Sequence, residues 1–421
     1  MADYTWAQLG VALPTMYVPK QRESLEKWCV IACDQYTSDP AYWEQVEQAI
    51  GDAPSTRRMV LPEVYLEADD VDERIAATAD VMHAYMHNVL EPVGPGMILI
   101  QRTFANHSLT RTGLLMALDL ERYDYAPDAK TLIRASEGTI PSRIPPRLKI
   151  RRNAPLELPH IMVLLDDPAH TVIEPLVAQK ERLTKLYDSK LGFGMGAITG
   201  YFLAPEQLES VRSALGVLWQ GALEDGRGDH MLFAMGDGNH SLATAKAYWE
   251  EIKPTLSEAE RQTHPARFAL CEVVNLHDEG IVFEPIHRVV FGCDAQDVQA
   301  AIEALGMMGE QGPIHRMRIV CGGQTFDCAV PARSSVESGT ADVVIAEMLR
   351  RCPHASVDYI HGEAETRSLA EKGRNVGFLL PVLQKGDLFP IVAQTGPLPR
   401  KAFSMGEADE KRCYLEARAI R

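Results

Sequence analysis

Asp237-Gly238-Asn239-His240-Ser241 places a carboxylate, an amide, an imidazole and a hydroxyl around one glycine. Such groups hold anions and move protons. The apolar run Leu232–Met235 leads into this turn, and Leu242-Ala-Thr-Ala-Lys-Ala-Tyr-Trp249 leads out of it with helical character. A helix start leaves backbone N–H groups unpaired and carries partial positive charge, so it suits phosphate. Gly238 lets the backbone approach a ligand closely. Chemistry on a phosphorylated ligand is the expectation this turn raises.

A second concentration of polar groups runs from Ile133 to Arg152. It carries Arg134, Arg143, Arg147, Lys149, Arg151 and Arg152, with Glu137 beside Gly138. Arginine forks match phosphate oxygens, and a carboxylate among such cations accepts a proton from a substrate hydroxyl. A solvated basic loop pairing with surface acids fits the same residues equally well. His287 and Arg288 follow the strand-like Ile281–Pro285. His287 reads as an acid/base group, a phosphate contact or, more simply, a satisfied residue at a strand end. Arg400 and Lys401 either close over an anion or sit in an ordinary surface turn. Asp34, near a helix start, is a second carboxylate for the base role.

The elements that must position these groups follow from periodicity. Short apolar runs alternate with amphipathic stretches, which predicts a mixed α/β chain. Ser38-Asp39-Pro40 reads as a helix start with proline at the first helical position. Val71–Val89 and Pro205–Leu223 read as helices, Met97–Ile100 and Leu114–Leu118 as strands, and Gly226–Asp229 as a loop. His160–Leu165 reads as a buried strand closed by Asp166-Asp167-Pro168. Leu242, Ala245, Trp249 and Ile252 share one helix face and are expected in the core. Farther on, Ala295–Leu305 and Thr340–Arg350 read as helices, and Arg318–Val320 and Phe326–Val330 as strands. Gly192–Gly196 precedes the strand-like Ala197–Phe202 and so lacks the context of a dinucleotide fingerprint.

With 421 residues, the chain is expected to form two or three domains. Regions 1–130, 131–290 and 291–421 are the expected divisions, the central one holding the turn and the arginine cluster. A net charge of -16 argues against nucleic-acid binding. No apolar run is long enough to span a bilayer, and the N-terminus lacks the features of a secretory signal. The eight cysteines are scattered. Only Cys29 and Cys33 lie close, without a second pair for zinc, so free buried thiols in a reducing cytoplasm are expected.

Gly-Asp-Gly-Asn-His-Ser followed by Ala-Thr-Ala resembles the Asp-Gly-His-His-Arg signature of the DUF 1015 family, whose function is unknown. Arg134-Ala-Ser-Glu-Gly, Pro141-Ser-Arg-Ile, Ile286-His-Arg and the Leu398-Pro-Arg-Lys tail resemble the same family, in order along the chain. The strand, turn and helix are also similar to the ParB/sulfiredoxin superfamily, which includes free serine kinases. That similarity implies a ParB/sulfiredoxin-like nucleotide-binding core. In it Gly238, Asn239, His240 and Ser241 cradle nucleotide phosphates, and Asp237 is a magnesium or substrate ligand. Asn239 stands where sulfiredoxins have their catalytic cysteine, which argues against sulfinate repair. Ser241 stands where the superfamily has arginine, so another segment must supply that phosphate clamp. Arg134, Arg143 and Arg147 are the expected source.

The expected function is a small-molecule kinase. It moves phosphate from ATP or ADP, with Mg2+, to a hydroxylated metabolite, serine being the first candidate. Glu137 is the expected base, with Asp237 and His240 beside it; His287, Arg288, Lys401 and Asp34 are further substrate or phosphate contacts. The alternatives are a ParB-like regulator that binds nucleotide without transfer and a structural use of the fold. The expected partners are nucleotide and a small molecule, without nucleic acid or membrane, and homo-oligomerisation stays open.

Overall fold

The computed structural model describes residues 4–22, 24–224, 231–308 and 312–421. The loop expected at Gly226–Asp229 lies outside them. The architecture is mixed α/β. The chain forms two compact units: Met1–Ala135, Thr139–Ile281 and Glu407–Arg421 make the first, and Ser136–Gly138 with Val282–Gly406 the second. No helix among the described residues is long and apolar enough to cross a membrane.

The first unit is built on a 10-stranded sheet. Thr110–Asp119 and Phe268–Asn275 pair antiparallel at its centre and are buried almost throughout. Alternate residues of one strand therefore serve different cores. Leu114, Met116 and Leu118 join the core that holds Trp249, and Leu115 joins the core that holds Trp43. Phe268–Asn275 also pairs parallel with Met162–Leu165, which pairs antiparallel with Phe233–Asp237. Ile133–Arg134 adds in parallel beyond that.

The local sequence signals explain the helices near the site. Asp39 caps Pro40–Ile50 by accepting from Tyr42 N at 3.1 Å. Val71–Asn88 and Pro205–Glu224 form as their periodicity predicts. Asn239–Ile252 buries Leu242, Ala245 and Trp249, while Ile252 is half-buried. Gly238 begins this helix at φ 81° and ψ 27°, a left-handed conformation. A Cβ there would stand 3.1 Å from Ile161 Cα, so conformation and space both select glycine.

The C-terminal residues of the first unit run through its interior. Cys413–Tyr414 pairs with Val30–Ile31, and Arg418–Ala419 with Leu156–Glu157. Arg412, 3 % exposed, donates to Glu272 at 2.7 Å, Glu416 at 2.8 Å and Pro159 O at 2.7 Å. Arg418 and Arg151 pair with Glu157, whose other contact is Leu270 N at 2.8 Å. Burial alone would raise the Glu157 pKa, but the two guanidinium groups outweigh it and the net shift is downward.

The second unit is a 6-stranded sheet with helices. Its strands include Ile314–Cys321, Gln324–Pro331, Asn375–Leu379 and Phe283–Phe291. Ala295–Ala304 and Glu337–Arg351 are helices that pack into its core.

Two measurements check this account. Gly238→Ala should destabilise the protein by roughly 1–2 kcal/mol in urea unfolding, the cost of a left-handed L-residue. The Glu157 pairing stabilises the fold above the ordinary carboxylate value of 4.5. That contribution should fade as pH falls from there through the depressed folded value. Unfolding free energy followed through that window should therefore fall less steeply in Glu157→Gln than in the parent protein.

Candidate functional site

The site is built where the strand Phe233–Asp237 turns into the helix Asn239–Ile252. No side chain caps the start of this helix. In the first turn Ser241 N and Leu242 N donate to Gly238 O at 3.0 and 3.1 Å. Asp237 Oδ1 accepts from Gly238 N at 2.9 Å. Beside it, the partner strand shifts register between Met162 and Val163, opposite Asp237. A bulge of this kind re-aims neighbouring side chains.

His160 lies just before that bulge and gathers groups from distant parts of the first unit. Its Nε2 is 2.8 Å from Ser241 Oγ and its Nδ1 is 2.9 Å from Tyr414 Oη. Asp34 Oδ2 stands 3.8 Å from the same Nε2. The phenol oxygen accepts from Cys33 N at 3.2 Å. Burial, reinforced by Cys33 and Asp34, holds the Tyr414 pKa well above its usual value, so the phenol keeps its proton. Tyr414 and Ser241 thus hold the two ring nitrogens of His160 between them.

The basic segment is drawn to the same turn. Ile140 N donates to His240 Nε2 at 3.2 Å. Next to these contacts, Thr139 Oγ1 and Asn239 Oδ1 are buried atoms without a hydrogen-bond partner. Buried polar atoms are rarely left unsatisfied. The threonine hydroxyl has a hydrogen to donate and the asparagine oxygen a lone pair to accept with.

Most of the expected phosphate clamp is committed elsewhere. Arg147 pairs with Glu63, Lys149 with Asp72, Arg151 with Glu157 and Arg152 with Glu251. Arg134 is buried in the sheet and donates to Thr131 O at 2.9 Å. Arg143 is exposed, and its guanidinium has no hydrogen bond or ion pair among the described residues. The reading of a basic segment that pairs with acids thus accounts for four of these side chains.

Asp237 stands beside a cation of the C-terminal segment. Its carboxylate is 3.4 Å from Lys411 Nζ. Among the described residues, the group of three metal-ligating side chains that assembles is Cys293, Asp297 and Cys352, in the second unit. Cys29 and Cys33 join no such group, and all eight cysteines are free thiols.

Glu137, Lys401, His287 and Arg288 belong to the second unit. Glu137 Oε2 accepts from Lys401 N at 3.4 Å, so the tail and this carboxylate do meet there. His287 lies inside the strand Phe283–Phe291, not at a strand end as expected. Its Nδ1 accepts from Leu380 N at 3.1 Å, and burial lowers its pKa. Arg288 is fully buried and pairs with Asp342 at 3.0 Å. Both side chains are held within the second unit.

His160, Tyr414 and Lys411 escaped the sequence reading. His160 and Tyr414 are 254 positions apart, and nothing local to either marks the contact. The one available hint was that His160 precedes the strand neighbouring the turn.

No curated protein matches the sequence. Among solved structures, a C-terminally truncated SbnI from Staphylococcus aureus is similar at 10% identity, over 72% of this chain and 85% of that one, with a TM-score of 0.37. A free serine kinase mutant in complex with ADP is similar at 9% identity, over 73% and 92%, with a TM-score of 0.39. A conserved hypothetical protein from Pyrococcus furiosus is similar at 10% identity, over 69% and 90%, with a TM-score of 0.34. Likenesses this distant assign neither ligand nor reaction. The family model described as protein of unknown function, DUF1015, matches residues 15–355, most of the chain, and the protein belongs to that family.

Proposed function

We propose that this protein is a small-molecule kinase that binds ATP or ADP at the Gly238 turn, as the resemblance to the ParB/sulfiredoxin superfamily implies. One observation carries the reading. At an uncapped helix start, the Ser241 hydroxyl and the Asp34 carboxylate both stand beside His160. Backbone N–H groups and the hydroxyl hold phosphate oxygens. Arg143 is the cation of the basic segment left to offset phosphate charge.

In the transfer, the terminal P–O bond of the nucleotide breaks and its electron pair leaves with the shortened nucleotide. The acceptor hydroxyl oxygen forms the new P–O bond and gives its proton to a carboxylate. Asp34 takes this role in preference to Glu137. It shares His160 with Ser241 inside the first unit, whereas Glu137 is held by the Lys401 amide in the second. The acceptor is a hydroxylated metabolite, and serine is the one the superfamily resemblance names. Asp237 would help hold magnesium on the nucleotide phosphates, where the ion would offset their charge, and no step is routed through it.

The second reading is a regulator that binds nucleotide at this turn without transferring phosphate. The pairing of Arg147, Lys149, Arg151 and Arg152 with carboxylates favours it, because few cations remain to stabilise a transferring phosphoryl group.

Incubation with ATP or ADP, magnesium and a pool of hydroxylated metabolites separates the two. The kinase reading expects nucleotide turnover and a new phosphoester only with a specific acceptor; binding without turnover for any acceptor supports the regulator. Asp34→Asn should keep nucleotide affinity and slow transfer by about 10²–10⁴-fold. Undiminished turnover in that variant, with turnover lost in Glu137→Gln, would return the base to Glu137. His240→Ala should weaken nucleotide binding in a fluorescence titration, because it releases Ile140 and the adjoining segment from the turn.

A further inference from the structure

In the second unit, two cysteines and an aspartate meet where three elements end. The strand Phe283–Phe291 runs out at Gly292, which takes a left-handed φ of 83° and turns the chain into Cys293. Asp294 then caps the helix Ala295–Ala304, with Asp297 in its first turn. Cys352 closes the helix Glu337–Arg351, its N–H donating to Met348 O at 2.9 Å. One ligating atom from each of Cys293, Asp297 and Cys352 lies within 4.8 Å of the other two. Cys293 is fully buried, while Asp297 and Cys352 are half-buried, so the group reaches solvent. Cys293 and Cys352 are far apart in the chain, and no Cys-x-x-Cys spacing marks the meeting.

Buried cysteines are common, and two side by side need no ligand to explain them. The aspartate changes that reading. Both hydrogen bonds to its side chain, from Asp294 N at 2.9 Å and from Arg374 Nη2 at 3.0 Å, fall on Oδ2. Oδ1 has no hydrogen-bond partner among the described residues. The helix cap and Arg374 thus fix the carboxylate, as outer partners orient a metal ligand. Asp294 shares the same guanidinium at 2.9 Å. Once the thiols ionise, two thiolates and two carboxylates surround one guanidinium, and the excess negative charge favours a dication. Thiolate sulfur selects thiophilic ions over magnesium or calcium, and a carboxylate beside it suits zinc. Tetrahedral zinc sets its sulfur and oxygen ligands about 3.5–3.8 Å apart, so closing from within 4.8 Å takes shifts of about 1 Å or less.

We infer that Cys293, Cys352 and Asp297 bind one zinc ion, with the fourth position left to water. Binding joins both sulfurs and Asp297 Oδ1 to the metal and releases the two thiol protons to solvent. The ion ties the end of one helix to the start of another and to the strand before it. It is therefore a structural clamp of the second unit, where all three ligands lie. Its binding does not depend on nucleotide.

The full chain, reduced and stripped of metal, is titrated with zinc against a chromophoric chelator and with cobalt under absorption spectroscopy. One equivalent of zinc should bind and raise the unfolding temperature. The cobalt form should show thiolate-to-cobalt charge transfer and the visible bands of a tetrahedral ion. Zinc should also slow alkylation of Cys352, mapped by mass spectrometry. Asp297→Asn keeps the side-chain oxygen that helps cap its helix, and Cys352→Ser is a near-isosteric change at a half-buried helix end. Each should lose zinc affinity by more than the roughly 10–100-fold typical of outer-shell partners, with circular dichroism unchanged. If either variant misfolds, the cobalt spectrum and the alkylation pattern of the parent protein decide. No zinc uptake by the reduced parent protein would overturn the inference, as would affinity unchanged in both variants or zinc protection confined to other cysteines. A Cys293–Cys352 disulfide in protein isolated without reductant, with no zinc uptake once it is reduced, would make the pair a redox couple instead.

Discussion

Arg412 is buried between Glu272 and Glu416, and the local architecture of the site depends on that pairing. A guanidinium removed from water must be matched by carboxylates and carbonyls in good geometry, and one left unmatched costs several kcal/mol. Burial by itself would lower the Arg412 pKa, but the two carboxylates reverse the sign and hold it above the usual value. The pairing fixes the C-terminal segment in the interior of the first unit. That segment brings Lys411 to Asp237 and Tyr414 to His160. The same structural demand therefore places a cation beside the turn's carboxylate and a phenol beside the histidine next to it.

From there the chemistry of the turn follows in short steps. Glycine at a left-handed φ lets the strand pass directly into a helix, and the lack of a side-chain cap leaves that helix start for an anion. Tyr414 and Ser241 hold the two ring nitrogens of His160, which fixes the imidazole beside the turn. Asp34 approaches the same imidazole from the N-terminal part of the chain. Each group reaches the turn from a different stretch of sequence, and the sheet between them sets the spacing.

What could be read from the chain divides along physical range. Asp39 as a helix cap, Gly238 as a turn residue and the Leu242–Trp249 stripe as core are decided by neighbours within a few positions, and they were legible. The ion pairs of the basic segment were not. Arg147, Lys149 and Arg152 find Glu63, Asp72 and Glu251 in remote segments, so local sequence displayed six cations and hid their acids. Glu137 looked like part of that cluster because it is adjacent in sequence, yet it packs with the Leu398–Lys401 tail. Asp34 looked remote because it lies far up the chain, yet it shares a histidine with Ser241. The sequence similarity to DUF 1015 identified the family, and the chain's own contacts put Asp34 beside His160 and Glu137 beside Lys401.

The most direct test is a crystal structure of the protein with a non-hydrolysable ATP analogue. The account predicts phosphate oxygens within hydrogen-bond distance of the Asn239 backbone N–H and of Ser241 Oγ, with the His160 to Tyr414 contact retained. An analogue whose phosphates bind away from the Gly238 turn, in a protein whose turn is otherwise unchanged, would contradict it.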